Sequence, residues 1–235
     1  MERGGGGPIV DPEGEVPEDL NPDHIAYIQG YPGNVVRPEA NVTREEVAAI
    51  FFRLLKPNYR DSIRSTASVF TDVVAGRWSA KHVGTLTNGD ILEGYPDGSF
   101  RPETPITRAE LATIASRFDD LEPAIGELFT DTSGHWAEKY INSAQAKGWI
   151  EGYPDGSFKP DQYITRAELV TLVNNVLQRR VHKADILPDV KQFSDLDEDK
   201  WYYEALQEAI NSHLYTRMSD GYEKWTEIHF PTIEM

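Results

Sequence analysis

Apolar residues recur at helical spacing in several similar stretches of this chain, and turn sequences separate them. From Trp136 onward the apolar positions are three and four residues apart, which predicts a helix. The sequence GYPDG follows, with Pro, Asp and Gly in the order that a β-turn favours. A second helix is predicted beyond it, with Leu169, Leu172 and Val176 on one face. The unit is therefore a helix, a turn and a second helix.

This unit occurs twice in nearly identical form, at residues 70–118 and 129–178. Each copy opens with FTD, continues through a Trp-led helix and GYPDGSF, and ends in a helix that begins at ITRAEL. Self-similarity with a period of about 50 residues is typical of a repeat architecture. One helix pair buries little apolar surface, so we expect three pairs to pack around an axis and share a core.

A third copy is divided between the two ends of the chain. Residues 24–56 carry only the second half of the unit, after a stretch at 1–23 whose Gly, Pro and acidic residues predict a flexible linker. The missing first half stands at 193–217, where FSDLDEDKW resembles the opening of the other copies. We interpret this order as a circularly permuted three-repeat ring, with a C-terminal half-repeat and tail at 193–235. A degraded fourth repeat is the alternative. On either interpretation the SDG at 219–221 is an eroded copy of the repeat turn YPDGSF.

The recurring TRAE segment predicts a helix start. Thr107 as N-cap and Glu110 three residues later make a capping box, and Ile106 with Leu111 makes a hydrophobic staple. The other copies repeat this pattern as a second ITRAEL and as VTREEV. Such a cap contributes about 1 kcal/mol, so a structural role is sufficient to explain the Thr and the Glu.

The arginine that follows each N-cap is not explained in this way. Arg44, Arg108 and Arg166 stand at the first helical position, where the helix dipole disfavours a cation by roughly 0.3 to 1 kcal/mol. A guanidinium beside helix N–H groups is suited to hold a carboxylate or a phosphate. A salt bridge to a neighbouring repeat is an equal alternative, because the chain has 39 Asp and Glu.

Composition narrows the classes of function. A chain of 235 residues with 39% hydrophobic residues can bury a core, and no apolar run is long enough to predict a membrane span. The formal net charge of −16 argues against nucleic acid as a partner. The chain has no cysteine, which excludes disulfides. The N-terminus lacks the features of a secretory signal, so an exported chain would be one piece of a longer polypeptide.

The motifs of metal, cofactor and catalytic sites do not occur. The six histidines show no HxxxH or HExxH grouping. The stretch DLDEDKWYYEAL begins like a calcium loop, but Lys200 and Leu206 stand where Gly and Glu are required. Nucleophile elbows, phosphate loops and paired-acid signatures are also missing. We therefore expect a protein that is not an enzyme and needs no metal or cofactor.

The combination of FTD, a Trp-led helix, GYPDGSF and RPETPITRAEL resembles the S-layer homology (SLH) domain family over about residues 24–216. The resemblance implies an all-α fold, with three helix-turn-helix repeats in a pseudo-threefold arrangement around a central helical bundle. It also implies a monomeric module of a larger extracellular protein, tethered to a secondary cell wall polysaccharide at the bacterial surface. We expect no membrane insertion.

The resemblance further implies glycan-binding residues in grooves between adjacent repeats. Polymers bound by the family often carry pyruvate ketals, so the arginines at 44, 108 and 166 would meet the acidic pyruvyl group. The remaining expected residues are Trp78, Trp136, Trp201, Asp97, Gly98, Ser99, Asp155, Gly156 and Ser157. The tryptophans are nevertheless expected to be mainly buried, with partial ligand contact.

The first copy departs from this pattern. Gly33, Asn34 and Val35 replace the Asp, Gly and Ser of the turn, and Glu45 replaces the alanine of TRAE. A carboxylate beside Arg44 would pair with it or repel an acidic ligand, so we expect this groove to be the weakest or purely structural. Two other functions stay open. One is a protein interaction scaffold with internal arginine salt bridges, and the other, more remote, is a glycan-processing enzyme with paired inward-facing acids.

Overall fold

The computed structural model describes residues 16–121 and 128–232, which form seven α-helices and one two-stranded antiparallel sheet. Residues 1–15 of the predicted N-terminal linker lie outside the described part. The helices are α1 (Arg44–Leu54), α2 (Pro57–Ser62), α3 (Ala80–Asn88), α4 (Arg108–Ser116), α5 (Glu138–Ala146), α6 (Arg166–Val176) and α7 (Tyr203–Ile210). The strands are β1 (Ser212–Arg217) and β2 (Glu223–His229), and a short 3₁₀ helix covers Lys183–Asp185.

The TRAE helices begin as the sequence predicts. In α4, the Thr107 hydroxyl accepts a hydrogen bond from the Glu110 N–H (3.2 Å), and the Glu110 carboxylate accepts one from the Thr107 N–H (2.9 Å). The N-termini of α1 and α6 contain the same capping box. Ile106 and Leu111 are fully buried, as a hydrophobic staple requires. The capping box thus places three helix starts at fixed positions.

These three helix starts meet around one axis. The Ile106 N–H donates to the Val42 carbonyl (2.9 Å), the Ile164 N–H to the Ile106 carbonyl (3.1 Å), and the Val42 N–H to the Ile164 carbonyl (3.2 Å). These bonds close a ring, which we call the backbone ring. The first N–H of each helix also donates to a carbonyl of another repeat, in the pairs Arg44 to Thr104, Arg108 to Gln162 and Arg166 to Ala40. These N–H groups are therefore not available to an external anion.

Each TRAE helix packs against a Trp-led helix: α1 against α3, α4 against α5, and α6 against α7. The aspartate of FTD joins the halves of a unit. Asp72 accepts hydrogen bonds from the N–H groups of Phe100 and Arg101, at 2.8 and 2.7 Å. Asp195, near the C-terminus, accepts the equivalent bonds from Val36 and Arg37 at the same distances. The two ends of the chain are thus held together by the contact that holds a continuous copy together.

One apolar core runs through all three helix pairs, and a smaller cluster of Val181, Val190 and Trp225 lies beneath the sheet. Phe51 of α1 and Phe118, just after α4, stack within the main core with ring centroids 5.2 Å apart. No helix of the described residues has both the length and the apolar character needed to cross a bilayer.

The all-α prediction is wrong at the C-terminus, where β1 and β2 form a hairpin. The SDG at 219–221, interpreted from sequence as an eroded repeat turn, is the reversal of this hairpin, and Gly221 supplies its positive φ of 82°. The residues after it start with the alternation of a half-buried strand, because Glu223 and Trp225 are buried and Lys224 is exposed. The fold is therefore mixed, with a helical repeat part and a hairpin.

Candidate functional site

A groove with a volume of about 460 Å³ lies along α6 and α7, next to the segment that follows α5. Arg108 and Trp201, two of the residues expected to bind a glycan, line it together. Glu151, Glu168 and Asn175 contribute polar walls. We call it the Arg108 groove. It brings one TRAE arginine and one repeat tryptophan to the same concave surface.

The repeat tryptophans are exposed, so the expectation that they are mainly buried is wrong. Trp78, Trp136 and Trp201 have 54%, 59% and 66% of their surface accessible. Each lies just before the first turn of a helix, at α3, α5 and α7 respectively. Core packing therefore does not explain these rings. The three rings are thus large apolar groups exposed at equivalent positions of the repeats.

The Arg108 guanidinium reaches into the next repeat. Its Nε donates to the Phe158 carbonyl (2.8 Å), one terminal nitrogen to the Glu168 carboxylate (3.2 Å), and the other to the Glu151 carbonyl (3.2 Å). It also lies over the ring of Tyr153, 5.0 Å from the centroid. Neighbouring oxygens and an aromatic face thus offset the unfavourable interaction of this cation with the helix dipole.

Arg44 has equivalent partners, and Arg166 has part of the same set. Arg44 donates to the Phe100 carbonyl (2.8 Å), the Glu110 carboxylate (2.8 Å) and the Glu93 carbonyl (2.9 Å). Arg166 donates to the Gln29 carbonyl (2.6 Å) and the Tyr31 hydroxyl (3.1 Å), and lies 3.8 Å from the Glu46 carboxylate. The internal salt bridge, one of the two alternatives left by the sequence, is therefore present in all three copies. An external anion would share or exchange these partners.

The tyrosine of each GYP sequence takes part in this network. The Tyr95 hydroxyl donates to Glu110 Oε1 (2.9 Å), the same oxygen that accepts from Arg44. Tyr153 and Glu168 repeat the contact at 3.3 Å, and Tyr31 bonds Glu46. Each capping-box glutamate thus caps its own helix with one oxygen and faces an arginine of another repeat with the other.

The predicted turn residues do not line the Arg108 groove. The Asp97 carboxylate accepts from the N–H (3.0 Å) and hydroxyl (2.6 Å) of Ser99, and Gly98 provides the positive φ of 80° that the turn needs. These bonds, together with Arg101, lower the pKa of Asp97 to about 2. The second turn has the same bonds between Asp155 and Ser157, and its glycine is Gly156, with a φ of 81°. In the structure these residues hold their turns together.

The extra carboxylate of the first copy does not pair with Arg44. Glu45 accepts hydrogen bonds from Nε (2.7 Å) and a terminal nitrogen (2.8 Å) of Arg77, and from the Ser79 hydroxyl (2.6 Å). Burial alone would raise the pKa of this carboxyl, but the bonds from Arg77 and Ser79 outweigh it, and the pKa is lowered. Glu45 therefore stays ionised and its charge is balanced by Arg77. It gives no electrostatic reason for the Arg44 groove to be weak.

Four acids line the Arg108 groove, as a glycan-processing enzyme would require, and three of them accept hydrogen bonds from neighbouring groups. Glu168 caps α6 and faces Arg108. The Glu204 carboxylate accepts from the Lys183 N–H (2.7 Å), and that of Glu208 accepts from the Trp225 indole (2.9 Å).

The geometry defines a class of protein, a helical repeat module with grooves between repeats and one exposed tryptophan per repeat. Comparison with known proteins agrees with this class. The family model of the S-layer homology domain matches residues 26–48, 69–112 and 128–170. The chain belongs to the S-layer homology domain family, as its resemblance predicted.

Similar proteins extend this result. Over 211 residues the chain is 36% identical to a cellulosome-anchoring protein of Acetivibrio thermocellus, covering 87% of this chain and 46% of that protein. It is 34% identical over 226 residues to cell surface glycoprotein 1 of the same organism, covering 91% and 10%. An amylopullulanase of Thermoanaerobacterium thermosulfurigenes is 32% identical over 174 residues, covering 70% and 9%. The chain spans less than half the length of these relatives, and its likeness to the enzyme is confined to a small part of that enzyme.

Proposed function

We propose that this chain anchors a larger surface protein to the bacterial cell wall by binding an acidic, pyruvate-bearing wall polysaccharide, without catalysis. Its place is outside the cell, at the wall. The supporting observation is that Trp201, exposed and outside the core, lines one groove together with Arg108. The names of the relatives, a cellulosome-anchoring protein and a cell surface glycoprotein, agree with this proposal.

In the proposed complex a sugar ring stacks on the Trp201 indole, and the pyruvyl carboxylate meets the Arg108 guanidinium. A charge-assisted hydrogen bond of this kind contributes roughly 1.5 to 3 kcal/mol. Arg108 is better placed to share its donors than Arg44, because its bonds to the glutamate and the second carbonyl are 3.2 Å long, against 2.8 and 2.9 Å at Arg44. The Arg166 contact with Glu46 is longer still (3.8 Å), but only Arg108 shares the described groove with an exposed tryptophan, so we place the principal site there.

The two other tryptophans, Trp78 and Trp136, extend the proposal to further grooves. Each is exposed and precedes a helix that packs on a TRAE helix, as Trp201 does. Several grooves on one polymer would raise the overall affinity above that of a single groove, because the second contact is intramolecular.

A second candidate is a protein interaction scaffold. The observation that favours it is the internal pairing of Arg44, Arg108 and Arg166 with carboxylates of other repeats. In that case the exposed tryptophans would bind an apolar segment of a partner protein.

Purified cell walls separate the two candidates. We expect walls that retain the pyruvylated polymer to retain the chain, and walls stripped of the polymer to release it. Trp201→Ala should weaken retention at least tenfold without changing the melting temperature. Phe230→Ala is the matched control, because Phe230 is 79% exposed and belongs to the hairpin end rather than to a groove. Equal retention on stripped walls, or by Trp201→Ala, would contradict the proposed site.

A further inference from the structure

Four buried side chains converge between the hairpin, α7 and the N-terminal segment. They are His24, Glu208, His213 and Glu223, and at most 4% of the surface of any of them is accessible. One nitrogen or oxygen from each lies within 4.8 Å of the others. Sequence patterns do not reveal this group, because His24 and Glu223, for example, are 199 positions apart. We call it the His/Glu cluster.

The spacing of these atoms is close to that of a metal coordination sphere. His24 Nε2 lies 3.0 Å from Glu223 Oε2, and His213 Nε2 lies 3.4 Å from Glu208 Oε2 and 3.9 Å from Glu223 Oε2. In a tetrahedral zinc site with bonds of about 2.0 to 2.2 Å, neighbouring ligand atoms are roughly 3.3 to 3.6 Å apart. Small movements of these side chains would give that arrangement.

Three of the polar atoms that face the centre of the cluster lack ordinary partners, whereas His24 Nε2 hydrogen-bonds Glu223 Oε1 (3.0 Å). Among the described residues, His213 Nε2, Glu208 Oε2 and Glu223 Oε2 make no hydrogen bond of normal geometry. Buried polar atoms without partners are costly, by about 1 to 3 kcal/mol each, and call for an explanation. A cation at the centre would satisfy all three at once.

The outer contacts prepare these side chains to act as ligands. His213 Nδ1 lies 3.2 Å from the Asn211 carbonyl, so that nitrogen carries the proton and Nε2 turns its lone pair toward the carboxylates. The Trp225 indole donates to Glu208 Oε1 (2.9 Å), and Arg217 donates to Glu223 Oε1 (3.1 Å). In each case the remaining atom, Nε2 or Oε2, is left for the centre.

Ring contacts fix the imidazoles in place. His213 stacks on Trp225 with centroids 3.8 Å apart, and His24 lies 4.1 Å from the Tyr215 ring.

We propose that the His/Glu cluster binds one divalent transition metal ion, with zinc the ion whose preferences its two imidazoles and two carboxylates fit best. Two guanidinium groups lie nearby, but Arg179 donates to the carbonyls of Asp23 and Ile25, and Arg217 is partly exposed. These two guanidinium groups alone therefore do not neutralise both carboxylates. Glu208 also lines the Arg108 groove, which gives the ion a path from solvent.

Such an ion would clip the ends of the repeat module together. His24 comes from the N-terminal segment, Glu208 from α7, and His213 and Glu223 from the two strands of the hairpin. The ion would bind the folded chain and not the unfolded chain, so it would raise the stability of the closed module.

The test uses the whole chain, treated with a chelator, dialysed and titrated with zinc ions in the absence of polysaccharide. We expect one zinc per chain by elemental analysis, a higher melting temperature, and the strong visible absorption of tetrahedral cobalt when Co²⁺ replaces zinc. Glu208→Gln keeps the acceptor for Trp225 and should fold, but it should bind zinc at least about 100-fold more weakly, since even losses outside the ligand shell cost 10- to 100-fold.

His182→Gln is the matched control, because His182 is a half-exposed histidine that pairs with Asp220 outside the cluster. It should bind zinc as the unaltered chain does. Failure of the chelated chain to bind zinc, or unchanged affinity in Glu208→Gln, would overturn the proposal and leave a proton-sharing network of buried acids and imidazoles. If Glu208→Gln does not fold, the stoichiometry and the cobalt spectrum of the unaltered chain decide. None of these measurements depends on wall binding.

Discussion

The repeat part and the hairpin end of the molecule bury charge in opposite ways. In the repeats, Arg44 and Arg108 each meet a carboxylate and two carbonyl oxygens, and the arrangement recurs because the sequence recurs. Beneath the hairpin, Glu208 and Glu223 face two imidazoles. His24 hydrogen-bonds Glu223 Oε1, but Glu208 Oε2, Glu223 Oε2 and His213 Nε2 make no hydrogen bond. Satisfied buried charge is explained by the fold alone, whereas unsatisfied buried charge points to a further ligand.

The largest expected effect follows from deleting C-terminal segments of two different lengths. Deleting residues 193–235 removes Asp195 and α7, and with them the contact to Val36 and Arg37. We expect loss of the cooperative fold, seen by circular dichroism and gel filtration. Deleting only the residues after Asn211 keeps Asp195 and α7, so the repeat part should stay folded and lose only zinc binding. A folded product from the longer deletion would favour a degraded fourth repeat over the permuted ring.

A smaller effect is expected when one satisfied arginine is removed. Arg44→Ala leaves Glu110 and two carbonyl oxygens without their donor, and breaking a buried pair of this kind costs about 3 kcal/mol or more. Denaturant unfolding measures the loss. Arg101→Ala, which breaks the exposed pair with Asp97, is the control and should cost less than about 1 kcal/mol. Equal losses in both variants would contradict the structural role of the buried arginine.

Glu45 gives a pH-dependent test of the same principle. Its pKa is lowered in the folded chain, so its contribution to stability is present above the unfolded carboxyl pKa of about 4.3 and is lost as the pH falls through the lowered value. Glu45→Gln should therefore be less stable than the unaltered chain by about 1 to 2 kcal/mol near pH 7. This difference should shrink in acid, as denaturant unfolding at several pH values would show. A difference independent of pH would mean that packing, and not charge, is what Glu45 contributes.

The smallest effect on folding is expected at the exposed tryptophans. Trp136→Ala and Trp201→Ala should each change the free energy of unfolding by less than about 0.5 kcal/mol, because neither ring belongs to the core. Trp149→Ala is the contrast, since Trp149 is 4% exposed and its removal should cost about 3 kcal/mol or more. Comparable losses at Trp136 and Trp149 would show that the exposed rings have a packing role after all.

Local patterns predicted the parts of the structure that local chemistry determines. The capping boxes at Thr43, Thr107 and Thr165 and the glycine turns lie where the sequence placed them, because each depends on a few neighbouring residues. The partners of the arginines could not be predicted, because they come from another repeat and depend on how the helices pack. The same holds for the His/Glu cluster, because only the fold brings His24 to Glu208, His213 and Glu223.

The errors have equally specific causes. The SDG resembles the repeat turn GYPDG, but the strand-like residues on both sides of it pair as a hairpin. Tryptophans are on average highly buried, but Trp78, Trp136 and Trp201 precede their helices and lie outside the core.

The backbone ring of Val42, Ile106 and Ile164 has a mechanical consequence for a tether of the proposed kind. Each of these residues donates to one neighbour and accepts from the other, so no helix start can be pulled out without breaking two of the three bonds together. A pull on one helix start is therefore resisted by its bonds to both other repeats. In a linear row of repeats, by contrast, the terminal repeat has a single neighbour and could separate first.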